Sequence, residues 1–98
     1  MHPPHFLWDP RKAAANQRKH GVSFAEAQTV FSDEAGLLLD DPDHAALDED
    51  RFLLLGISAR TRLLLVVHCY RADGGEIRLI SARRATRTEA RQYVARGS

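Results

Sequence analysis

Leu63-Leu64-Leu65-Val66-Val67-His68-Cys69-Tyr70-Arg71-Ala72-Asp73-Gly74-Gly75-Glu76-Ile77-Arg78-Leu79-Ile80-Ser81-Ala82 is the stretch that decides the architecture. Leu63 to Tyr70 is the longest strand candidate in the chain. Ala72 to Gly75 is a turn, and Glu76 to Ala82 alternates as the return strand of a hairpin. Phe52 to Ile57 is a further strand just upstream, and Leu37-Leu38-Leu39 is another beyond an acidic stretch. The last three strands are joined by segments shorter than the roughly dozen residues a parallel crossover needs, so they form an antiparallel meander.

The flanks read as helices. Phe6-Leu7-Trp8 is a short apolar strand candidate, and Asp9-Pro10 supplies an N-cap acid with proline at the first helical position. A helix is expected over 10–20, ended by Gly21 in a left-handed turn. Ser23 and Glu26 have the spacing of a capping box, with Val22 and Ala27 at the staple positions. Phe24, Ala27, Val30 and Phe31 give this second helix an apolar face. Thr86 and Glu89 form another box, predicting a helix over 87–95 with Ala90, Tyr93 and Val94 inward. The expected fold class is α+β: a small, mainly antiparallel sheet packed with N-terminal helices and a C-terminal helix.

The chain has 98 residues, 44% hydrophobic and 28% charged, which suits one globular domain over 1–98 with a modest core. Cys69 is the single cysteine, which excludes an internal disulfide and a cysteine-rich metal cluster. The longest apolar run, Leu63 to Val67, is far short of the roughly 18 residues of a membrane span. With no signal peptide recognisable, a cytoplasmic location is expected.

Net charge is +1, but it is unevenly spread. Residues 33–50 hold eight acids and no Lys or Arg, whereas residues 51–98 hold ten Arg against three acids. An arginine-rich half is either a solvated surface or a partner for phosphate. The exclusive use of Arg leans toward bidentate phosphate contacts. Neither a Gly-rich phosphate loop nor an HExxH motif occurs, and no cofactor or metal is expected. His44 lies among Asp40, Asp41, Asp43 and Asp48, but Pro42 interrupts them and the spacing is not that of a calcium loop. This reads as a solvated acidic loop, or as a surface that attracts an Arg-rich partner. His2 and His5 near the start are at most adventitious metal ligands.

The candidate chemistry gathers in the second half. Arg62 and Arg71 stand at the two ends of the longest strand, Arg83 and Arg84 close the last one, and Glu89 and Tyr93 lie one turn apart on the final helix. His20 ends the first helix beside Lys19. Metal-free RNA cleavage needs a base for the 2′-hydroxyl proton, cations for the developing phosphorane charge, and an acid for the 5′-oxygen. Arginine serves the second task. Glu89 or His20 is a candidate base, and Tyr93 or His20, a residue type that titrates near neutrality, a candidate acid.

Each residue also has a purely structural reading. His20 caps helix carbonyls, Glu89 completes its capping box, Tyr93 belongs to a buried stripe, and Arg62 is a solvated strand-edge residue. Arg83 is the strongest single candidate because Arg84, Arg87, Arg91 and Arg96 follow it closely. Trp8 either stacks on a base or fills the core. His68 and Tyr70 share a strand face, open to a nucleotide or covered by a helix.

Trp8-Asp9-Pro10, Lys12, Asn16 and Lys19-His20-Gly21-Val22-Ser23-Phe24, followed by Ala27 and Phe31, closely resemble the opening of the BrnT family. Asp43-His44, Glu49 with Arg51, Gly56, and the Ile80-Ser81-Ala82-Arg83 block with Ala85, Glu89 and Tyr93 continue the match over residues 6–94. The resemblance implies a RelE-like ribonuclease toxin of a type II toxin–antitoxin pair that cleaves RNA to inhibit translation and growth. It implies a BrnA-like antitoxin as partner, contact with operon DNA through that antitoxin, and pairing of the toxin in a higher-order complex. It supports Arg83 and Glu89 through the Ile80-Ser81-Ala82-Arg83 block and Lys19 and His20 through the Lys-His-Gly block, with Arg62 a weaker transfer. Taken with the reading of the residues themselves, the catalytic candidates are Arg83, Glu89, Arg62, His20 and Tyr93, and the RNA-binding ones Lys19, Arg71, Arg84, Arg87 and Arg91. One departure stands out: the family often has Gly-Arg before its long strand, whereas here Thr61 precedes Arg62. The alternative is a non-catalytic module of the same fold that binds nucleic acid or the antitoxin.

Overall fold

The computed structural model describes residues 4–41, 51–71 and 74–96. His2, most of the acidic stretch (Asp43, His44, Asp48 and Glu49 included) and the Ala72-Asp73 half of the hairpin turn lie outside the described residues. Along the chain come β1 (His5–Leu7), α1 (Pro10–His20), α2 (Phe24–Thr29) running into one 3-10 turn (Val30–Ser32), β2 (Leu37–Asp40), β3 (Arg51–Ile57), β4 (Leu63–Arg71), β5 (Glu76–Arg84) and α3 (Arg87–Arg96).

The helix ends follow local chemistry. The Asp9 carboxylate accepts the Arg11 amide at 2.8 Å with Pro10 in the first turn. Gly21, at φ 69°, returns its N–H to the Gln17 carbonyl at 2.9 Å in a left-handed conformation that costs glycine nothing. Ser23 Oγ accepts the Glu26 amide at 3.0 Å, but only this half of the expected box forms, because the Glu26 side chain turns to partners on the β3–β4 turn. At α3 both halves form: Glu89 N–H donates to Thr86 Oγ1 at 3.2 Å, and Thr86 N–H to Glu89 Oε1 at 2.9 Å.

The strands make one five-stranded sheet in the order β1-β5-β4-β3-β2. The meander is antiparallel as expected, while β1 adds itself in parallel to β5 over His5–Leu7 and Glu76–Arg78. Beyond β1 the edge of β5 meets α1. There the Asn16 amide takes the place of a strand, accepting the Ala82 N–H at 3.0 Å and donating to its carbonyl at 2.8 Å. Buried backbone groups at a sheet edge need such partners.

One face of the sheet carries the core. Leu54, Leu64, Val66, Ile77, Leu79 and Ala82 pack against Val22, Phe24, Ala27 and Val30 from the first two helices and the 3-10 turn. Gly56 permits this closeness, since a Cβ there would lie 2.8 Å from Val30 Cγ1. His68 and Tyr70 do share this face, and the covered reading holds for His68, whereas Tyr70 at the strand end is 38% exposed. His68 is fully buried edge-on to Phe31 at 4.8 Å, and burial pushes its pKa down. Tyr70 packs on Phe52. Trp8 is half-buried and edge-on to Phe24.

The β4–β5 register shifts at Val67/His68, where Ser81 faces Val67 but Leu79 faces His68. Ile80 is the extra residue of a bulge. Strict alternation would put Ser81 and Arg83 on the core face with Ile77 and Leu79. The bulge puts Ala82 there instead and sends Arg83 to the opposite face.

That second face receives α3. Val94 was expected inward, and the structure corrects this: it is 71% exposed. The helix rests on the sheet through Glu89 and Tyr93, one turn apart, and Val94 lies about 100° further round the helix from Tyr93. No residue of α3 is fully buried. Among the described residues no helix is long and apolar enough to cross a membrane.

Candidate active site

Arg83 projects from β5 where Asn16 holds the neighbouring Ala82 backbone on the other side of the strand. Its guanidinium meets α3 end-on. Nη1 and Nη2 donate to Glu89 Oε1 and Oε2, each at 2.8 Å, and Nη1 also reaches the Arg84 carbonyl at 3.2 Å. Of five N–H donors this leaves Nε–H and one Nη2–H, the side edge of the fork, without a partner among the described residues. The side chain is 37% exposed and that of Glu89 21%. The hydrogen bonds from Arg83 hold the Glu89 carboxyl below its ordinary value, against the opposing effect of burial and with help from the Thr86 amide. Glu89 in turn raises the pKa of Arg83.

Lys19 and His20 line a groove with Lys12, Asn16, Ile80 and Ser81, between the last turns of α1 and the edge of β5. Ser81 and Arg83 are two positions apart on one strand face, about 7 Å. The fold therefore brings the Lys19-His20 groove and the Arg83–Glu89 pair to the same end of β5. Arg84, Arg87 and Arg91 surround that end with exposed side chains.

Arg62 lies elsewhere. Its Nε donates to Glu26 Oε2 at 2.9 Å, and its Nη2 to Glu26 Oε1 and, at 3.2 Å, to the Gly21 carbonyl. Ser58 Oγ donates to the same carboxylate at 2.7 Å. The Glu26 side chain is only 4% exposed, on a helix packed against the core face. Arg62 holds its carboxyl low despite burial, with Ser58 adding to the effect. Thr61 takes φ 61°, the left-handed conformation a glycine would adopt, so the Thr-for-Gly departure leaves the backbone presentation of Arg62 glycine-like.

Tyr93 donates its hydroxyl to Asp33 Oδ2 at 2.6 Å, and the same oxygen accepts the Ile57 amide at 2.8 Å. That bond raises the phenol pKa. Burial would raise the pKa of Asp33, but the Ile57 amide, Tyr93 and the Ala35 amide together lower it. Tyr93 thus ties α3 to the end of β3. Arg71 stands at the far end of β4, six positions from Leu65, the partner of Arg83; at 3.3 Å per residue this is roughly 20 Å.

Glu26, Asn16 and Asp33 were missed as organising residues. The usable signal was a polar residue inside an apolar helical stripe: Glu26 between Phe24 and Ala27, and Asn16 three positions after Ala13. Asp33 offered none, since its partner Tyr93 is 60 residues away. Among the described residues no group of three or more His, Cys, Asp or Glu side chains is placed to hold a metal ion.

Comparison with known proteins bears on the family and the fold. Residues 8–89 match the family model described as the ribonuclease toxin BrnT of type II toxin–antitoxin systems. The fold is similar to the crystal structure of the Brucella abortus ribonuclease toxin BrnT, with a TM-score of 0.66 and 20% identity over 87% of this chain and 100% of that one. At that identity the likeness speaks to the fold. No curated protein matches the sequence significantly.

Proposed function

This chain belongs to the BrnT family of ribonuclease toxins of type II toxin–antitoxin systems, with that family's RelE-like α+β fold, and from that premise we propose that it cuts RNA without a metal ion at the Arg83 end of β5. The observation that carries the reading is the Arg83 guanidinium, held end-on by Glu89 with its side edge free on an exposed, arginine-rich face. A fork so oriented offers two parallel N–H donors to one phosphate.

In the proposed reaction the 2′-oxygen attacks the adjacent phosphorus, the P–O5′ bond breaks, and a 2′,3′-cyclic phosphate and a 5′-hydroxyl result. Arg83 stabilises the charge on the phosphorane oxygens. Glu89 is the base. At rest its basicity is suppressed by Arg83, and a phosphate competing for the guanidinium weakens that hold and returns basicity to the carboxylate. His20, in the groove beside Ser81, is the acid for the leaving 5′-oxygen. Lys19, Arg84, Arg87 and Arg91 supply phosphate contacts along the strand. Arg62 and Tyr93, whose polar groups are spent on Glu26 and Asp33, serve the site by holding its elements in place.

The same reading makes the protein a cytoplasmic inhibitor of translation and growth, neutralised by a BrnA-like antitoxin that links a complex of paired toxins to operon DNA. The test is cleavage of mixed RNA in EDTA by the purified chain and by Arg83→Ala and Glu89→Ala, with folding checked by circular dichroism. Products with 2′,3′-cyclic or 3′-phosphate ends, lost in both variants, are expected. No cleavage, with or without ribosomes, would replace this reading with that of a non-catalytic binding module.

A further inference from the structure

The one buried residue of α1 is polar: Asn16. Its amide joins three segments of the chain. Nδ2 donates to the Val22 carbonyl at 2.9 Å and to the Ala82 carbonyl at 2.8 Å, while Oδ1 accepts the Ala82 N–H at 3.0 Å. Two carbonyls and one N–H fix which end of the amide is nitrogen, and both of its hydrogens are used. Among the described residues no other side chain of α1 hydrogen-bonds to the sheet. An apolar side chain would also pack the helix here, but a polar group matched to three backbone partners specifies one position.

That position governs the distance between two halves of the site. His20 lies one turn beyond Asn16, and both line the groove that reaches Ser81. Arg83 directly follows Ala82. The β5 half has other holders, since Arg83 pairs with Leu65 on β4 and is gripped by Glu89. The α1 half has Asn16. Among the described residues the His20 ring has no hydrogen-bond partner, so its place is set by where the last turn of α1 sits.

We propose that Asn16 is a positioning residue that sets His20 against the phosphate held by Arg83. The inference rests on the ribonuclease reading above and adds how its acid is placed. A general acid works only within hydrogen-bond reach of the leaving oxygen, and a misplacement of about 1 Å can cost about 10²-fold in rate. The polar groups of Asn16 are spent on backbone, so it acts through His20. A purely structural Asn16 would instead cost stability and leave the rate per folded molecule unchanged.

The test compares Asn16→Ala, Asn16→Gln and His20→Ala in the full chain, with cleavage rates per folded molecule over a range of RNA concentrations in EDTA. Asn16→Gln keeps the amide on an arm longer by one carbon–carbon bond, about 1.5 Å, and serves where Asn16→Ala does not fold. Both Asn16 variants should lower kcat about tenfold or more while KM stays within about threefold. Added to His20→Ala, either should lower kcat no further, because an absent acid cannot be misplaced. A substrate with sulfur in place of the bridging 5′-oxygen gives a second readout. There the 2′-oxygen attacks phosphorus, the P–S bond breaks and the thiolate leaves without a proton. On it the Asn16 variants and His20→Ala should all match the parent within about threefold.

Losses that multiply in the double variants, or that persist undiminished on the sulfur substrate, overturn the inference. Folded Asn16 variants with parental kcat overturn it, and failure of both to fold marks a structural role and does the same. A parent that cuts RNA, with His20→Ala equally active, removes the acid and with it this inference but leaves the Arg83–Glu89 site standing. A parent that does not cut RNA overturns both.

Discussion

Two arginine–carboxylate pairs stand on opposite faces of one sheet, and they use the same chemical groups differently. Arg62 offers Glu26 the side edge of its fork, Nε and Nη2, and spends the other Nη2 hydrogen on the Gly21 carbonyl. Arg83 offers Glu89 the end of its fork and keeps the side edge. The buried partner is Glu26, sealed beneath the β3–β4 turn, where an uncompensated carboxylate would be expensive. Glu89 sits in a capping box at a water-exposed helix start, where the pair contributes less to stability. The first pair fastens the two N-terminal helices to the β3–β4 turn. The second presents a cation to the outside.

The largest effect is expected where that contrast is broken by chemistry. Arg83→Ala should lower RNA cleavage by about 10² to 10³, the range for losing a group that stabilises an oxyanion, while the urea midpoint stays close to that of the parent. Arg83→Lys, which keeps charge but not the fork, should recover only a small part. Parallel losses of stability and activity would mean that both pairs are structural.

Glu26→Gln should show the reverse pattern. Removing the charge from a buried pair should cost about 3 kcal/mol of stability by urea denaturation, with cleavage per folded molecule changed less than tenfold. Acid sharpens the same point. The folded-state pKa values of Glu26, Asp33 and Glu89 are all lowered, so the unfolded chain binds more protons as pH falls. Their contribution is complete above the ordinary carboxylate values of 3.8 and 4.5 and is lost as pH drops through the depressed folded ones. Unfolding free energy measured at neutral pH and below about pH 4 should therefore diverge, and less so in Glu26→Gln than in the parent.

Smaller effects concern the struts. Tyr93→Phe should cost about 1 kcal/mol for its hydrogen bond to Asp33 and leave cleavage within a few-fold. A deeper loss of activity than of stability would make the phenol the proton donor instead. Thr61→Gly should stabilise by about 1 kcal/mol or less, since relief of the left-handed conformation is offset by the entropy of glycine in the unfolded chain.

Much of this was legible in the residues because its causes are local. Asp9-Pro10, Gly21, Ser23 and Thr86 mark helix ends through bonds that span a few positions, and the apolar runs from Leu37 to Ala82 mark strands whose short connections leave an antiparallel meander as the natural pairing. Arg83 and Glu89 could be named together for the same reason, being one strand end and one capping box apart. The inward placement of Val94 failed because the inward stripe of α3 is set by what Glu89 and Tyr93 bind on the sheet, and helical period alone does not report that.

The sequence by itself therefore determined the elements, their order, the α+β class and the crowding of arginine at the end of β5. Tertiary structure alone decided that Arg62 spends its side edge on Glu26 while Arg83 keeps that edge open. Arg62 finds Glu26 across 36 residues and Tyr93 finds Asp33 across 60, and neither separation leaves a trace in local pattern. Arg83 reaches the open face because one extra residue at Ile80 reverses the alternation of β5 against β4. A bulge is a property of two strands in register, and periodicity along one strand cannot report it.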